Sequence, residues 1–260
     1  MKNDLGKRMK ENYEYRTKSY IPRRTYTIIR LDGKAFHTFT KGFERPYDTK
    51  LMDAMNYATK MLCENVQGCK LGYTQSDEIS LLLTDFDKIG TDAYLDGAIQ
   101  KIVSITASMA TAYFNRYMLE NDITAKLAFF DSRVFSIPEA TEVENYFIWR
   151  QEDCVRNSIS MTAQSLYSHK ELHGVNTSGM QDLCMEKGVN WNDQPDGFKR
   201  GRMIVKEQYE IQAFDLETSG LDNNHRPINV GTAIRNRWAI KPATWILRDR
   251  EEFSDLIPKR

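Results

Sequence analysis

Two stretches of this chain end apolar runs in carboxylates, and they limit its architecture more than any other feature. "YTIIRLDG" (26–33) has a core-strand pattern that stops at Asp32-Gly33. "KLGYTQSDEISLLLTD" has two strand-like runs around a polar centre, Gln75-Ser76-Asp77-Glu78, which predicts a β-hairpin. Asp-Gly is a common turn dipeptide, so Asp32 read alone is first of all a strand stop. The competing reading is a cation ligand at the carboxyl end of a core strand, beside a glycine that lets a phosphate approach the backbone.

The intervening segments complete the pattern. Leu51, Met55, Ala58, Met61 and Leu62 recur at helical steps, as do Ile102, Ile105, Met109, Ala112 and Tyr113 within 93–120. "LAFFDSRVFSIP" predicts a bent strand or a strand pair, and a further helix begins near 140. The order β-α-β-β-α-β is the ferredoxin-like split unit, which is also the palm of many polymerases. The expected class is α+β, with a palm-like catalytic domain over 1–168 that includes an N-terminal extension carrying a polar helix over 5–18. Residues 169–260 read as a smaller, irregular part packed on the palm rather than an independent domain, with a loop-rich tail from 220.

Charge narrows the partners only locally. Lys plus Arg and Asp plus Glu both number 36, so any nucleic-acid surface must be a patch. Lys199, Arg200, Arg202 and Lys206 form one such cluster, and Arg235, Arg237, Lys241 and Arg248 interleave with Trp238 and Trp245 in another. The four cysteines include a C-x5-C pair that fits no standard zinc spacing, which favours a reduced, cytoplasmic setting. The charged amino terminus has no secretory h-region, and the apolar run near 130 is broken by Asp131 and Arg133, so no membrane partner is expected.

If the two acid-bearing strands are neighbours, Asp32 and Asp77 repel one another, and Mg²⁺ relieves that repulsion best. Two such ions could activate an attacking oxygen and stabilise a leaving one in phosphoryl transfer, with the Gly33 carbonyl as a further ligand. The backbone amides of Lys34, Ala35 and Phe36 are candidates to receive a triphosphate, with the Lys34 side chain as a screen. Arg30, two residues before Asp32, points to the same strand face and could bind phosphate. Glu78 is either a solvated hairpin acid or a third carboxylate, and Ser76 shapes the turn. His37 is either a partly buried histidine or a nucleotide contact, while Arg45 and Lys101 on their own are ordinary surface cations.

"RLDGKAFHTFTK", "GYTQSDEISLLL", "WRQEDCVRNSI" and "NWNDQPDGFKRG", in that order, resemble the successive signatures of the tRNA-histidine guanylyltransferase family and its guanylyltransferase-like relatives. The resemblance implies a palm that adds nucleotides in the 3′ to 5′ direction to the 5′ end of tRNA. A 5′-monophosphate is first activated by ATP or GTP, and the 3′-hydroxyl of an incoming nucleotide then attacks. It implies two Mg²⁺ ions on Asp32, Gly33 and Asp77, with Glu78 as companion acid. It also implies triphosphate contacts from Arg30, Arg45 and Lys101, matches His37 and Ser76 to the family motifs, and implies a homotetramer built as a dimer of dimers. Arg150, Asp153 and Asn157 match the helix that supports the activating nucleotide and the tRNA end, and Lys199 and Arg200 match a basic RNA-contacting turn. After Asp-Cys the tRNA-histidine enzymes carry His-Ile-Asn, whereas this chain has Val155-Arg156-Asn157. That departure implies the branch that repairs 5′-truncated tRNAs by templated addition, with strict guanosine addition to histidine tRNA as the alternative and a catalytically inactive tRNA-binding protein as the non-enzyme one.

Overall fold

The computed structural model describes residues 4–214, 229–244, 246 and 248–259. Its centre is one antiparallel sheet whose first four strands are β1 (Tyr26–Gly33), β2 (Cys69–Gln75), β3 (Glu78–Leu83) and β4 (Phe130–Ile137), in spatial order β4-β1-β3-β2. After α1 (Asp4–Asn12) and the short α2 (Phe36–Phe39), helices α3 (Thr49–Asn65) and α4 (Ile99–Glu120) make the two crossovers, which is the expected ferredoxin-like order. "LAFFDSRVFSIP" yields the single strand β4, paired with β1 from Tyr26↔Ile137 to Gly33↔Phe130.

Both sheet faces are covered, so the central strands read as continuous apolar runs; β3 is buried at every position. Ile29, Leu31, Ile79 and Leu81 pack with the buried faces of α3 and α4, whereas Ile28, Tyr73 and Leu82 meet Val143 and Phe147 of α5 (Ala140–Leu166). The start of α3 is fixed by Asp48, whose Oδ1 accepts from the amides of Lys50 at 2.9 Å and Leu51 at 3.1 Å. Such an N-cap contributes about 0.5–2 kcal/mol.

Beyond α5 lie α6 (Thr177–Glu186) and the short α7 (Asp196–Lys199), and then two long strands, β5 (Arg202–Phe214) and β6 (Asn229–Pro242). β5 pairs with β2 and β6 with β5, so the sheet has six strands. The tail read as loop-rich therefore supplies a strand. Its charged sequence hid it, because Arg235, Asn236 and Arg237 are exposed and leave no apolar alternation to detect. Trp245 and residues 215–228 lie outside the described residues. Gln151 of α5 ties the following segment down, donating to Thr244 O at 2.7 Å and accepting from Ile246 N at 2.8 Å. A last short helix, α8 (Arg250–Ser254), sets Phe253 against Phe147. All four cysteines are free and buried, and among the described residues no helix is long and apolar enough to cross a membrane.

Candidate active site

Asp32 and Gly33 close β1, and Ser76-Asp77 form the two-residue turn between β2 and β3. Ser76 takes a left-handed φ of 46° to make that turn. The register sets Asp32 opposite Glu78 on one side and Asp131 on the other, and the Gly33 amide donates to Asp77 O at 3.1 Å. Gly33 has to be glycine, because a Cβ there would lie 2.2 Å from the Phe36 ring that turns the chain away.

Carboxylates gathered this closely resist ionisation. Burial, then the charge of Asp32, pushes Asp77 up to about 6. Asp32 is also raised, by burial and then by Asp131, with Arg133, Arg30 and Arg150 pulling the other way. Glu78 is differently placed: its carboxylate is taken by Arg150, whose Nε and Nη2 donate to its two oxygens at 2.8 and 2.6 Å. Both side chains are buried, so the expected role of Glu78 at the metal gives way to that of the acid that holds Arg150.

Arg150 anchors a short network. It donates to Asp153 Oδ2 at 2.8 Å, and the same carboxylate accepts from Arg156 at 2.8 Å and from Asn157 Nδ2 at 3.3 Å. Residues 150, 153 and 157 share one face of α5 because they are spaced by helical turns. The Trp149 ring lies 4.3 Å from the Arg150 guanidinium and 5.6 Å from that of Arg30.

Two cavities adjoin the acids. One, of about 310 Å³, is polar and is lined by Asp32, Asp77, Glu78, Arg30, Arg133, Arg150, Asp153 and Asn157. The other, of about 480 Å³, has an apolar wall that includes Phe36, Phe43, Tyr47, Leu51, Met52 and Phe198; His37 and Arg45 also line it. Gln75, Ser76, Asp77 and Asn157 border both. Arg133 stood out in the sequence only as a break in an apolar run and not as a site residue, although the alternating charges of "FDSRV" were a signal. Nor did the sequence single out the aromatic wall, which is assembled from two distant segments, Phe36, Phe43 and Tyr47 from one and Phe198 from the other.

Other expected residues stand elsewhere. The Lys34 amide donates to Phe129 O at 2.8 Å, so it is taken from the trio meant for a triphosphate. The Phe36 ring packs on Phe39, Phe114 and Phe130, and Ala35 makes the turn at φ 54°. Lys101 lies apart, on the first turn of α4, in a pocket with Glu14, Lys18, Tyr20 and Asp96. Lys199 is buried, donating from Nζ to Asn192 O at 2.6 Å and pairing with Asp196 at 3.2 Å. Arg200 pairs with the same Asp196. The basic turn expected on RNA is thus turned toward its own loop.

Asp32, Asp77 and the Gly33 carbonyl are hard oxygen donors of the kind Mg²⁺ takes. Among the described residues, no group of three or more His, Cys, Asp or Glu side chains is placed to hold a metal alone. The donors therefore fit a cation whose shell is completed by phosphate and water oxygens, as Mg²⁺ accepts.

Comparison with known proteins adds an independent line. The family model Thg1, tRNAHis guanylyltransferase, matches residues 6–138. Protein R259 of Acanthamoeba polyphaga mimivirus, described as uncharacterized, is 32% identical over 229 residues, which is 79% of this chain and 76% of that protein. A bacterial tRNA(His) guanylyltransferase (Thg1)-like protein solved with ATP is 41% identical and covers 98% of this chain and 99% of its own, with a TM-score of 0.84. The GTP complex of such a bacterial protein is 40% identical, covers 97% and 98%, and gives 0.78. The Saccharomyces cerevisiae tRNA(His) guanylyltransferase gives 0.64 at 26% identity, over 76% of this chain and 91% of its own.

Proposed function

The chain belongs to the Thg1 family of tRNAHis guanylyltransferases and is a nucleotidyltransferase, and from that premise we propose that it repairs the 5′ ends of truncated tRNAs by templated 3′-5′ addition. The observation that carries the reading is the convergence of Asp32, Asp77 and the Arg30, Arg133 and Arg150 guanidiniums on one polar cavity that opens beside an apolar one. Charged groups suit phosphates, and an apolar wall suits a base.

Mg²⁺ would be held by Asp32, Asp77 and the Gly33 carbonyl, and when bound it neutralises the phosphate oxygens and the acids together. Arg30 and Arg133 face the same cavity and orient the triphosphate, with the Ala35 and Phe36 amides and Arg45 alongside. A 5′-phosphate oxygen of the RNA then attacks the α-phosphorus of ATP, forming the new P–O bond as the α–β bridge breaks and pyrophosphate leaves. In the second step the 3′-hydroxyl of the incoming nucleotide attacks the activated 5′-phosphorus, and AMP leaves. Arg150, locked by Glu78 and Asp153, presents positive charge to this centre without being free to follow the substrate. ATP and GTP as substrates accord with the two bacterial complexes.

Templated repair is favoured over strict guanosine addition because Val155-Arg156 stands where the tRNA-histidine enzymes carry His-Ile. The likeness to the bacterial Thg1-like protein over 98% of the chain, against 76% for the yeast enzyme, accords with this reading. A homotetramer arranged as a dimer of dimers is part of this reading, and light scattering measures it. The functional test uses 5′-monophosphorylated tRNAs lacking their first nucleotide, offered with ATP and each NTP. Repair requires that the added nucleotide change when the facing template base is changed. Addition of guanosine regardless of that base, and only to histidine tRNA, would establish the alternative.

A further inference from the structure

The apolar cavity has a polar floor that no step above uses. Gln75 ends β2 and Arg202 begins β5, its neighbour in the sheet, where Arg202 faces Thr74. Both side chains are buried, at 2% and 4% exposure, and both line the cavity. Each has a buried atom without a hydrogen-bond partner among the described residues: the acceptor Gln75 Oε1 and the donor Arg202 Nη2. The rest of the Arg202 guanidinium is fixed, with Nε donating to Asn56 Oδ1 at 2.8 Å and Nη1 to Gly197 O at 2.9 Å. Gly197 allows this, because a Cβ there would stand 3.0 Å from Arg202 Cδ.

Among the described residues no carboxylate pairs with Arg202, and burial pulls its pKa down. An orphaned buried donor or acceptor costs about 1–3 kcal/mol, and more when charged. A site that keeps one of each in the same cavity is built to have them satisfied by what enters. The entrant must present a hydrogen-bond acceptor and a donor, and must suit walls of Phe36, Phe43, Tyr47 and Phe198. A phosphate has the acceptor but neither a donor nor an apolar face. A nucleobase has all three, since the Watson–Crick edges of guanine and adenine each carry an acceptor next to an N–H.

We infer that Arg202 and Gln75 bind the edge of the nucleobase of the bound nucleoside triphosphate, Arg202 donating to the base and Gln75 accepting from it. This rests on the nucleotidyltransferase reading, which places the triphosphate at Asp32 and Asp77. Arg202 has donors only and fixes where the base acceptor goes. Gln75 can rotate its amide and serve either purine.

The test measures binding of GTP, ATP and inorganic tripolyphosphate, each with Mg²⁺, to the full chain and to Arg202→Met, Gln75→Leu and Asn56→Ala. Arg202→Met should weaken GTP and ATP by about tenfold to a hundredfold, with tripolyphosphate unchanged. Gln75→Leu should act in the same direction by a smaller factor. Asn56→Ala removes the same supporting bond away from the cavity, so it reports any purely structural loss. In the unaltered protein, the ¹⁵Nη resonances of Arg202 should shift with GTP and not with tripolyphosphate. Nucleotide affinities unchanged in Arg202→Met, a parallel loss of tripolyphosphate, or an Arg202 resonance indifferent to GTP would each overturn the inference. Failure of the unaltered chain to bind any triphosphate would instead overturn the reading beneath it.

Discussion

The two cavities that meet at Gln75, Ser76 and Asp77 are built from opposite materials. The polar one gathers Asp32, Asp77, Glu78 and three arginines around the ends of paired strands, and its groups pay for one another's charge. The apolar one is walled by rings and aliphatic chains and holds the buried Arg202 guanidinium, which has no carboxylate partner among the described residues. The difference separates two tasks. Phosphate chemistry needs charges held in fixed opposition, whereas base binding needs a dry surface and few, well-placed donors and acceptors. Asp77 and Asn157 border both, so on the proposed function one nucleotide would span the two.

The largest effect that tests this contrast comes from the acids. Asp32→Asn or Asp77→Asn should lower nucleotidyl transfer by on the order of a thousandfold. The metal-free protein should melt no lower than the unaltered chain, because a mutual repulsion has been removed. A parallel fall in melting temperature and activity would show these acids to be structural. Next comes the buried pair on the other side of the polar cavity. Arg150→Met leaves the Glu78 carboxylate buried and unpaired, and should cost about 3–5 kcal/mol in urea unfolding. If stability is unchanged, the Glu78–Arg150 contact is not the anchor described.

Lys199 distinguishes a buried prop from an RNA contact. Lys199→Met should destabilise the chain by about 1–3 kcal/mol through the lost bond to Asn192 O. The salt dependence of tRNA binding should stay the same, whereas a phosphate contact would reduce its slope by about one.

The smallest effect concerns pH. Asp77 is raised from its ordinary 3.8 to about 6, so between those values the folded, metal-free protein binds more protons than the unfolded chain. The stability of that form therefore falls as pH rises through this window. Mg²⁺ opposes the loss by binding the ionised acids, so the gain in melting temperature on adding it should be slight at pH 5 and grow toward pH 7. A gain that does not change with pH would place the metal elsewhere.

Much of the polar cavity was legible in the sequence because its residues sit where strand periodicity breaks. Asp32 ends an apolar run, Asp77 occupies a hairpin turn, and Arg30 shares the face of Asp32 by alternation. The role of Glu78 was not legible, since its partner Arg150 lies 72 residues away and only the packing of α5 brings it close. Lys199 and Arg200 looked like a surface patch because a basic cluster carries no sign of the Asp196 and Trp191 that absorb it. The apolar cavity was hidden more deeply. Its wall comes from residues 36–52, 154–164 and 198–202, which lie far apart in the sequence, so no local pattern announces it.

Transfer of label from [α-³²P]ATP to RNA tests the central claim most directly. The account predicts that the chain, with Mg²⁺, labels the 5′ end of a 5′-monophosphorylated tRNA, leaves the 5′-hydroxyl form unlabelled, and loses this activity in Asp77→Asn. Label at the 3′ end, or equal labelling by Asp77→Asn, would contradict it.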